Sequence, residues 1–238
     1  MRAPDATPVV QRGLLPLRTF IDYVHPRLRP HSHACVSAID LSSDAGLVAV
    51  GLLTLNLLLG LLLSMRYNPW THWPHRRFNY FRVHNWTGYA ALAVAALHPV
   101  IVLFSSTAGF RIFDVVIPVE SPKQPLVNSL GAIGLYVLAL VVVTSYARSR
   151  MTRHTWKLLH YGAYAAAIFF FAHSLFSDPT LQGKPVDWLD GEKVYIELCV
   201  MAVAIVSAWR VRWMVRHRRD LAQRRAAPEP ARERQLAG

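Results

Sequence analysis

Four histidines of this 238-residue chain lie in or at the edge of long apolar segments. An ionisable side chain in such a segment is costly and usually marks a functional site. The four form two pairs along the chain, His84 with His98 and His160 with His173. Their spacings of 14 and 13 residues correspond to about 20 Å along a helix at about 1.5 Å per residue.

The segments that must position these histidines are typical of membrane spans. The chain is 53% hydrophobic and 17% charged, and its charges are segregated between the apolar runs. Five runs approach the about 20 apolar residues that cross about 30 Å of hydrocarbon. We place the spans at 45–65, 84–104, 126–147, 158–177 and 194–213. The sequence therefore predicts an all-α membrane protein, a bundle of about five transmembrane helices.

The two histidine-bearing spans are the second and the fourth, so they cross the bilayer in the same direction. His84 is then level with His160, and His98 is level with His173. Two neutral imidazoles that face each other across a helix pair suit six-coordinate haem iron. A zinc site needs three or four converging ligands, and a proton path needs Asp or Glu, which these span interiors lack. The pattern favours two haems at two depths, between the second and fourth helices.

Helical phase adds a constraint on the fourth span. On an ideal helix of about 3.6 residues per turn, His84 and His98 lie within about 40° of one face, whereas His160 and His173 are about 140° apart. The fourth span must therefore be rewound, kinked or tilted. Gly88 and Gly162 lie near the histidines and allow either the approach of a flat macrocycle or close helix packing.

The net charge of +12 does not indicate a nucleic-acid partner, because the basic residues lie between the spans. They concentrate in loops 66–82 and 148–157 and in the tail from Arg210, whereas loops 105–125 and 178–193 also carry carboxylates. By the positive-inside rule, this alternation predicts an N-terminus outside and a C-terminus in the cytoplasm. The expected location is a bacterial inner (plasma) membrane.

Three regions follow from this pattern. Residues 1–43 form a polar N-terminal tail, residues 44–215 a transmembrane haem domain, and residues 216–238 a basic, disordered cytoplasmic tail. The two cysteines, Cys35 and Cys199, lie in the N-terminal tail and the last span. They indicate neither a disulfide framework nor a metal site.

Two stretches carry a resemblance to a known family: RVHNWTGYAALAVAALH, and VNSLGAIGLYVLALVVVTSYARSRMTRHTWKLLHYGAYAAAIFFFAHSLFSD. They resemble the ferric reductase-like transmembrane domain, which is shared by ferric reductases, NADPH oxidases and the haem-binding subunit of the bacterial periplasmic methionine sulfoxide reductase system. Arg153 and Trp156 match the lead-in to the second histidine helix of that family.

The resemblance implies two b-type haems, one held by His84 and His160 and the other by His98 and His173. Oxidases of the family continue into a flavin and NADPH domain. Here about 25 residues follow the last span, with no Gly-rich dinucleotide fingerprint. We therefore expect a flavin only through a partner protein.

Three functions remain open at this point. The first is a membrane cytochrome b that passes electrons from a separate cytoplasmic donor, such as a flavin reductase, a ferredoxin-like protein or a quinol, to an external acceptor. That acceptor is ferric iron, oxygen or an exported redox enzyme. The second is a haem-bearing anchor that delivers electrons to a periplasmic oxidoreductase. The third is a non-redox channel or transporter that uses its histidines for protons or metal ions.

Overall fold

A computed structural model describes residues 37–65, 79–105, 108–178 and 187–226, which form helices and connecting turns without a β-strand. Seven α-helices occur in this part of the chain: α1 Ala38–Ser64, α2 Tyr80–Val102, α3 Ile112–Val116, α4 Pro125–Tyr146, α5 Arg153–His160, α6 Gly162–Phe176 and α7 Gly191–Ala226. Most of the N-terminal tail, most of loop 66–82 and the end of the C-terminal tail lie outside the described residues, and so does Cys35.

Five helical segments are long and apolar enough to cross a membrane, which confirms the predicted fold class. They are α1, α2, α4, α5 together with α6, and α7 up to Gln223. Four of these five segments are longer than the predicted apolar runs, and α4 has the same length as its run. The first begins at Ala38, within the segment assigned to the polar tail, and the last continues to Ala226, within the segment assigned to the basic tail.

Local capping explains where three of these helices begin. Ser37 starts α1 with a reciprocal pair, in which its hydroxyl accepts from the Asp40 backbone N–H and its own N–H donates to the Asp40 carboxylate. The Asn79 side chain accepts from the Arg82 N–H at the start of α2. The Thr152 hydroxyl accepts from the Thr155 N–H at the start of α5.

The fourth span is interrupted directly after His160. Helix α5 ends at that residue, Tyr161 is a turn, and α6 begins at Gly162. The Tyr164 N–H donates to the Tyr161 carbonyl at 3.1 Å, a bond between residues three apart that tightens the backbone locally. The break lies between His160 and His173, in the segment where the sequence analysis required a departure from an ideal helix.

The helices pack in two antiparallel pairs, α1 with α2 and α4 with α6, and α7 closes the bundle against α1. One apolar cluster joins all five long helices. Its members are Ala49, Val50, Leu53, Leu57, Ala91, Ala95, Leu138, Ala166, Ala167, Phe171, Ile196 and Cys199. Ala91 and Ala95 fall between the two histidines of α2. A packed apolar layer therefore separates the two histidine levels.

Gln124 ties the start of α4 to the end of α6. Its side-chain amide donates to the Asp178 carbonyl at 2.9 Å, and its side-chain oxygen accepts from the Asp178 N–H at 3.0 Å. Its backbone is left-handed, with φ of 46°, a conformation that non-glycine residues adopt only when their surroundings hold them there. This link fixes the end of the helix that carries His173.

A leucine at Gly134 is expected to weaken the contact between α4 and α6. A Cβ added there would lie 3.2 Å from the Phe169 Cβ and 3.5 Å from the Ala166 carbonyl oxygen. Overpacking of this kind typically costs about 1–3 kcal/mol of unfolding free energy. The control is Ile133→Leu, at the neighbouring position, which is 42% exposed. Unfolding of both variants in detergent measures the difference, and equal stability would contradict the packing described.

Candidate functional site

The structure brings the four histidines together as two pairs of the same geometry. The His84 and His160 rings have centroids 6.1 Å apart and planes at 72°. The His98 and His173 rings have the same separation and the same angle. Each pair contains one histidine of α2 and one of the interrupted fourth span. Each histidine therefore lies next to the ring predicted to share its level, and not next to the other histidine of its own span.

In each ring the Nδ1 atom faces a group on a neighbouring helix. The partner atoms are the carbonyl oxygens of Asn56 for His84 at 3.1 Å, of Ser42 for His98 at 2.7 Å and of Val127 for His173 at 2.8 Å. His160 Nδ1 instead faces the Ser145 hydroxyl at 3.1 Å.

The three carbonyl contacts determine the tautomer of their rings. A carbonyl oxygen can only accept, so the neutral imidazole carries its proton on Nδ1 and leaves a lone pair on Nε2. No hydrogen bond to any of the four Nε2 atoms is found in the part of the chain that the structure describes. The rings are thus oriented as metal-binding histidines are, with the far nitrogen held by a neighbouring acceptor.

A glycine four residues after each accepting carbonyl makes the contact possible. A Cβ at Gly46 would lie 3.2 Å from His98 Nδ1, one at Gly60 would lie 3.2 Å from His84 Cε1, and one at Gly131 would lie 3.0 Å from His173 Nδ1. In a helix the Cβ points towards the N-terminus. A side chain at these positions would therefore cover the carbonyl of the preceding turn, which the imidazole must reach.

The arrangement repeats along α1 with the spacing of the histidines on α2. Ser42 and Asn56 are 14 residues apart, and so are Gly46 and Gly60. The corresponding step along α4 leads from Gly131 to Ser145. Three of the four rings therefore rest on a glycine, while the fourth, His160, meets a serine hydroxyl.

Each pair opens onto a cavity. The His84 cavity, which contains His84 and His160 in its lining, has a volume of about 590 Å³. The His98 cavity, which contains His98 and His173, is smaller at about 180 Å³. The glycines Gly46 and Gly131 line the smaller cavity, and Gly60 lines the larger one.

The two cavities differ in charge. The described residues that line the His84 cavity include four basic side chains and no carboxylate: Arg148, Arg153, Lys157 and Arg210. Those that line the His98 cavity include three carboxylates and one ammonium group: Asp114, Asp178, Glu192 and Lys193. The first cavity is suited to anionic groups, and the second has a negative surplus around a single cation.

Aromatic contacts support the His84 cavity. The Trp156 indole stacks on the His160 ring, with centroids 5.0 Å apart and planes at 23°. The Trp156 Nε1 atom is buried without a hydrogen-bond partner among the described residues. Arg148 places its guanidinium 4.7 Å from the centroid of the Phe81 ring. Arg210 donates to the Tyr164 hydroxyl at 3.2 Å.

The sequence analysis identified the four rings but not the residues that hold them. Gly88 faces the Asn56 side chain and Gly162 faces Val141, so these glycines serve helix packing and do not contact the imidazoles. A search for small residues that repeat at 14-residue spacing in the first and third spans would have found the glycine and serine positions.

Comparison with known families identifies the family of this chain. Residues 45–171 match the model of the family described as ferric reductase like transmembrane component. The chain belongs to that family. The match includes His84, His98 and His160 and ends two residues before His173. A search of curated proteins found no match.

Alanine at Gly131 is expected to displace the His173 ring. The added methyl group would lie 3.0–3.1 Å from three ring atoms, so the imidazole must move away from the Val127 carbonyl. The expected loss is about 1–3 kcal/mol of unfolding free energy, from overpacking and a weakened hydrogen bond. Thermal or denaturant unfolding measures it.

The matched control is Gly191→Ala, because a Cβ there meets nothing within 4 Å. Its effect should stay within about 0.5 kcal/mol. Equal stability of Gly131→Ala and this control would contradict the close contact between Gly131 and the His173 ring.

Proposed function

We propose that this protein is a membrane b-type cytochrome that moves electrons across the bilayer through two haems. His84 and His160 hold one haem, and His98 and His173 hold the other. Membership of the ferric reductase-like family supports a membrane redox component of this kind. The observation that carries the proposal is the geometry of the two ring pairs, each 6.1 Å between centroids.

That separation fits one metal ion shared by two imidazoles. Imidazole–metal bonds are about 2.0 Å long, and a ring centre lies about 1.1 Å from its nitrogens, so two rings on one ion have centroids about 6 Å apart. Among the described residues, no three His, Cys, Asp or Glu side chains converge on a point. A pair of ligands suits an iron whose remaining bonds come from a macrocycle.

The protein's own residues prepare each pair for this role. The carbonyls of Ser42, Asn56 and Val127 accept the Nδ1 protons and keep the Nε2 lone pairs available. The Trp156 indole restrains the plane of His160. When bound, haem supplies reversible one-electron chemistry at iron, with a potential set by its ligands and surroundings.

The basic lining of the His84 cavity would pair with the carboxylates of a haem. Arg148, Arg153, Lys157 and Arg210 are placed to neutralise two such groups. The buried Nε1 of Trp156 is a further donor within the same lining. The smaller His98 cavity offers one cation, Lys193.

The layer between the cavities favours electrons over ions as the species transferred. Ala91, Leu138 and Ala166 belong to the closely packed apolar cluster between the two histidine levels. An ion would need polar groups or water along this path. An electron needs only two redox centres within reach of each other.

The electron donor and acceptor are separate molecules in this proposal. The basic residues at the His84 end mark the cytoplasmic side, where an acidic donor such as a flavin reductase or a ferredoxin-like protein would dock; a membrane quinol is the alternative donor. The His98 end would face outside and deliver electrons to ferric iron, oxygen or an exported redox enzyme.

Alanine variants of the four histidines test the pairing. The purified protein should show a reduced b-type absorbance spectrum with about two haems per chain. Each single variant should lose about one haem, because one imidazole cannot complete a six-coordinate iron. His154→Ala is the control, since His154 lies on α5 outside the linings of both cavities.

Double variants separate the proposed pairing from other arrangements. The combination H84A/H160A should lose no more haem than either single variant, because both residues serve one centre. The combination H84A/H98A should lose both haems. Equal haem content in the wild type and all four single variants would show that these histidines do not bind haem.

A further inference from the structure

Lys193 is a buried cation near the start of α7. Its side chain is 6% exposed, and its ammonium group donates to the carbonyl oxygens of Ser174 and Ser177, each at 2.7 Å. These carbonyls close the end of α6, the helix that carries His173. A positive charge at a helix C-terminus is favourable, so Lys193 clamps that end in place.

The same residue lines the His98 cavity together with His98 and His173. An ammonium group has three donors, of which the two carbonyls use two. Among the described lining residues, Lys193 is the one cationic side chain of this cavity. The His84 cavity has four.

Several carboxylates lie in the neighbourhood of the ammonium group. Glu192 and Asp190 lie beside it in the chain, and Asp178 follows the end of α6; all three are close enough to interact with it. Asp114 reaches the cavity from α3 and pairs with Arg111 at 3.8 Å. The charge of Lys193 therefore opposes a negative surplus, and a neutral residue in its place would leave that surplus uncompensated.

Charge near a redox centre shifts its potential. In a low-dielectric interior, a nearby cation stabilises the state that carries one more electron, and removing the cation favours the oxidised state. Burying an ammonium group is costly, and charged residues inside a membrane protein usually serve a function. Two hydrogen-bond donors are enough to cap these carbonyls, and a positive charge at a helix C-terminus adds to that stabilisation, so the clamp and the effect on the potential need separate tests.

We propose that Lys193 sets the reduction potential of the centre held by His98 and His173. This inference rests on the proposed function. Lys193 is a positioning residue that holds the end of α6 and contributes a positive charge to the His98 cavity. With haem bound, His98 and His173 would hold an iron that gains one electron from the iron held by His84 and His160, the first being reduced from ferric to ferrous as the second is oxidised from ferrous to ferric. The positive charge of Lys193 raises the tendency of its centre to receive that electron.

Three substitutions separate charge from hydrogen bonding. Lys193→Met removes both, Lys193→Gln keeps amide donors without the charge, and Lys193→Arg keeps the charge. Potentiometric titration of the whole haem-loaded protein in detergent, followed by haem absorbance, gives the potential of each centre. We expect K193M and K193Q to lower one potential by about 59 mV, a tenfold shift in a one-electron equilibrium, and K193R to leave it near the wild-type value.

Two histidine variants, each combined with K193Q, show which of the two centres has the shifted potential. In H84A, where the His98/His173 centre remains, the K193Q shift should persist. In H98A, where the other centre remains, it should vanish. Arg212→Gln is the matched control, because Arg212 is an exposed α7 cation that lines neither cavity. It should leave the His98/His173 potential unchanged.

Other results would overturn the proposal. Unchanged potentials in K193Q, even with a lower melting temperature, would make Lys193 a helix clamp only. An equal lowering in K193R and K193M would show that charge is not the cause. If K193M fails to fold, K193Q and K193R still test whether the charge of Lys193 affects the potential. Each of these results would refute the role of Lys193 and would leave the assignment of the haem ligands intact. A wild-type protein without haem would instead refute the proposed function.

Discussion

The site depends on imidazole rings that reach the backbone of a neighbouring helix. A helical carbonyl is already used by the N–H four residues later, and it accepts a second donor only if no side chain covers it. Gly46, Gly60 and Gly131 leave three such carbonyls open, and the rings of His98, His84 and His173 lie against them. This contact fixes the rotation of α2 against α1 and of α6 against α4, and it presents Nε2 away from the helix that holds the ring.

The remaining architecture follows from repeating that contact at two depths. Gly46 and Gly60 on α1 match His98 and His84 on the antiparallel α2 with the same 14-residue step. On the other side, His160 and His173 are 13 residues apart. The helix is interrupted at Tyr161 between them, and both rings lie against their partners on α2. Between the two levels, buried alanine and leucine side chains form an apolar cluster, which separates the two pairs.

The sequence was sufficient for the elements and for the identity of the rings. Histidines such as His84 and His98 stand out in apolar spans because an imidazole there is costly, and parallel spans fix which rings share a level. The sequence analysis did not find the glycines and carbonyls that contact the rings, and the reason is physical. A membrane helix such as α1 is apolar all round, so its hydrophobic pattern does not tell which face meets a neighbour. The sequence analysis therefore considered only Gly88 and Gly162, which are near the histidines in the chain, whereas Gly46 is remote in the chain and adjacent to His98 in space. Lys193 lies at the end of the predicted loop 178–193, and the sequence could not indicate its contact with the end of α6, because that contact depends on how α7 packs.

The most direct measurement of the central claim is electron paramagnetic resonance of the oxidised protein. The account predicts low-spin ferric iron with two imidazole ligands at both centres. Because the ring planes in each pair are at 72°, the signals should be the strongly anisotropic type that crossed imidazole planes produce, and not the ordinary rhombic type of parallel planes. A high-spin spectrum, which marks iron lacking one axial ligand, or the absence of any haem signal from the purified protein, would contradict the account.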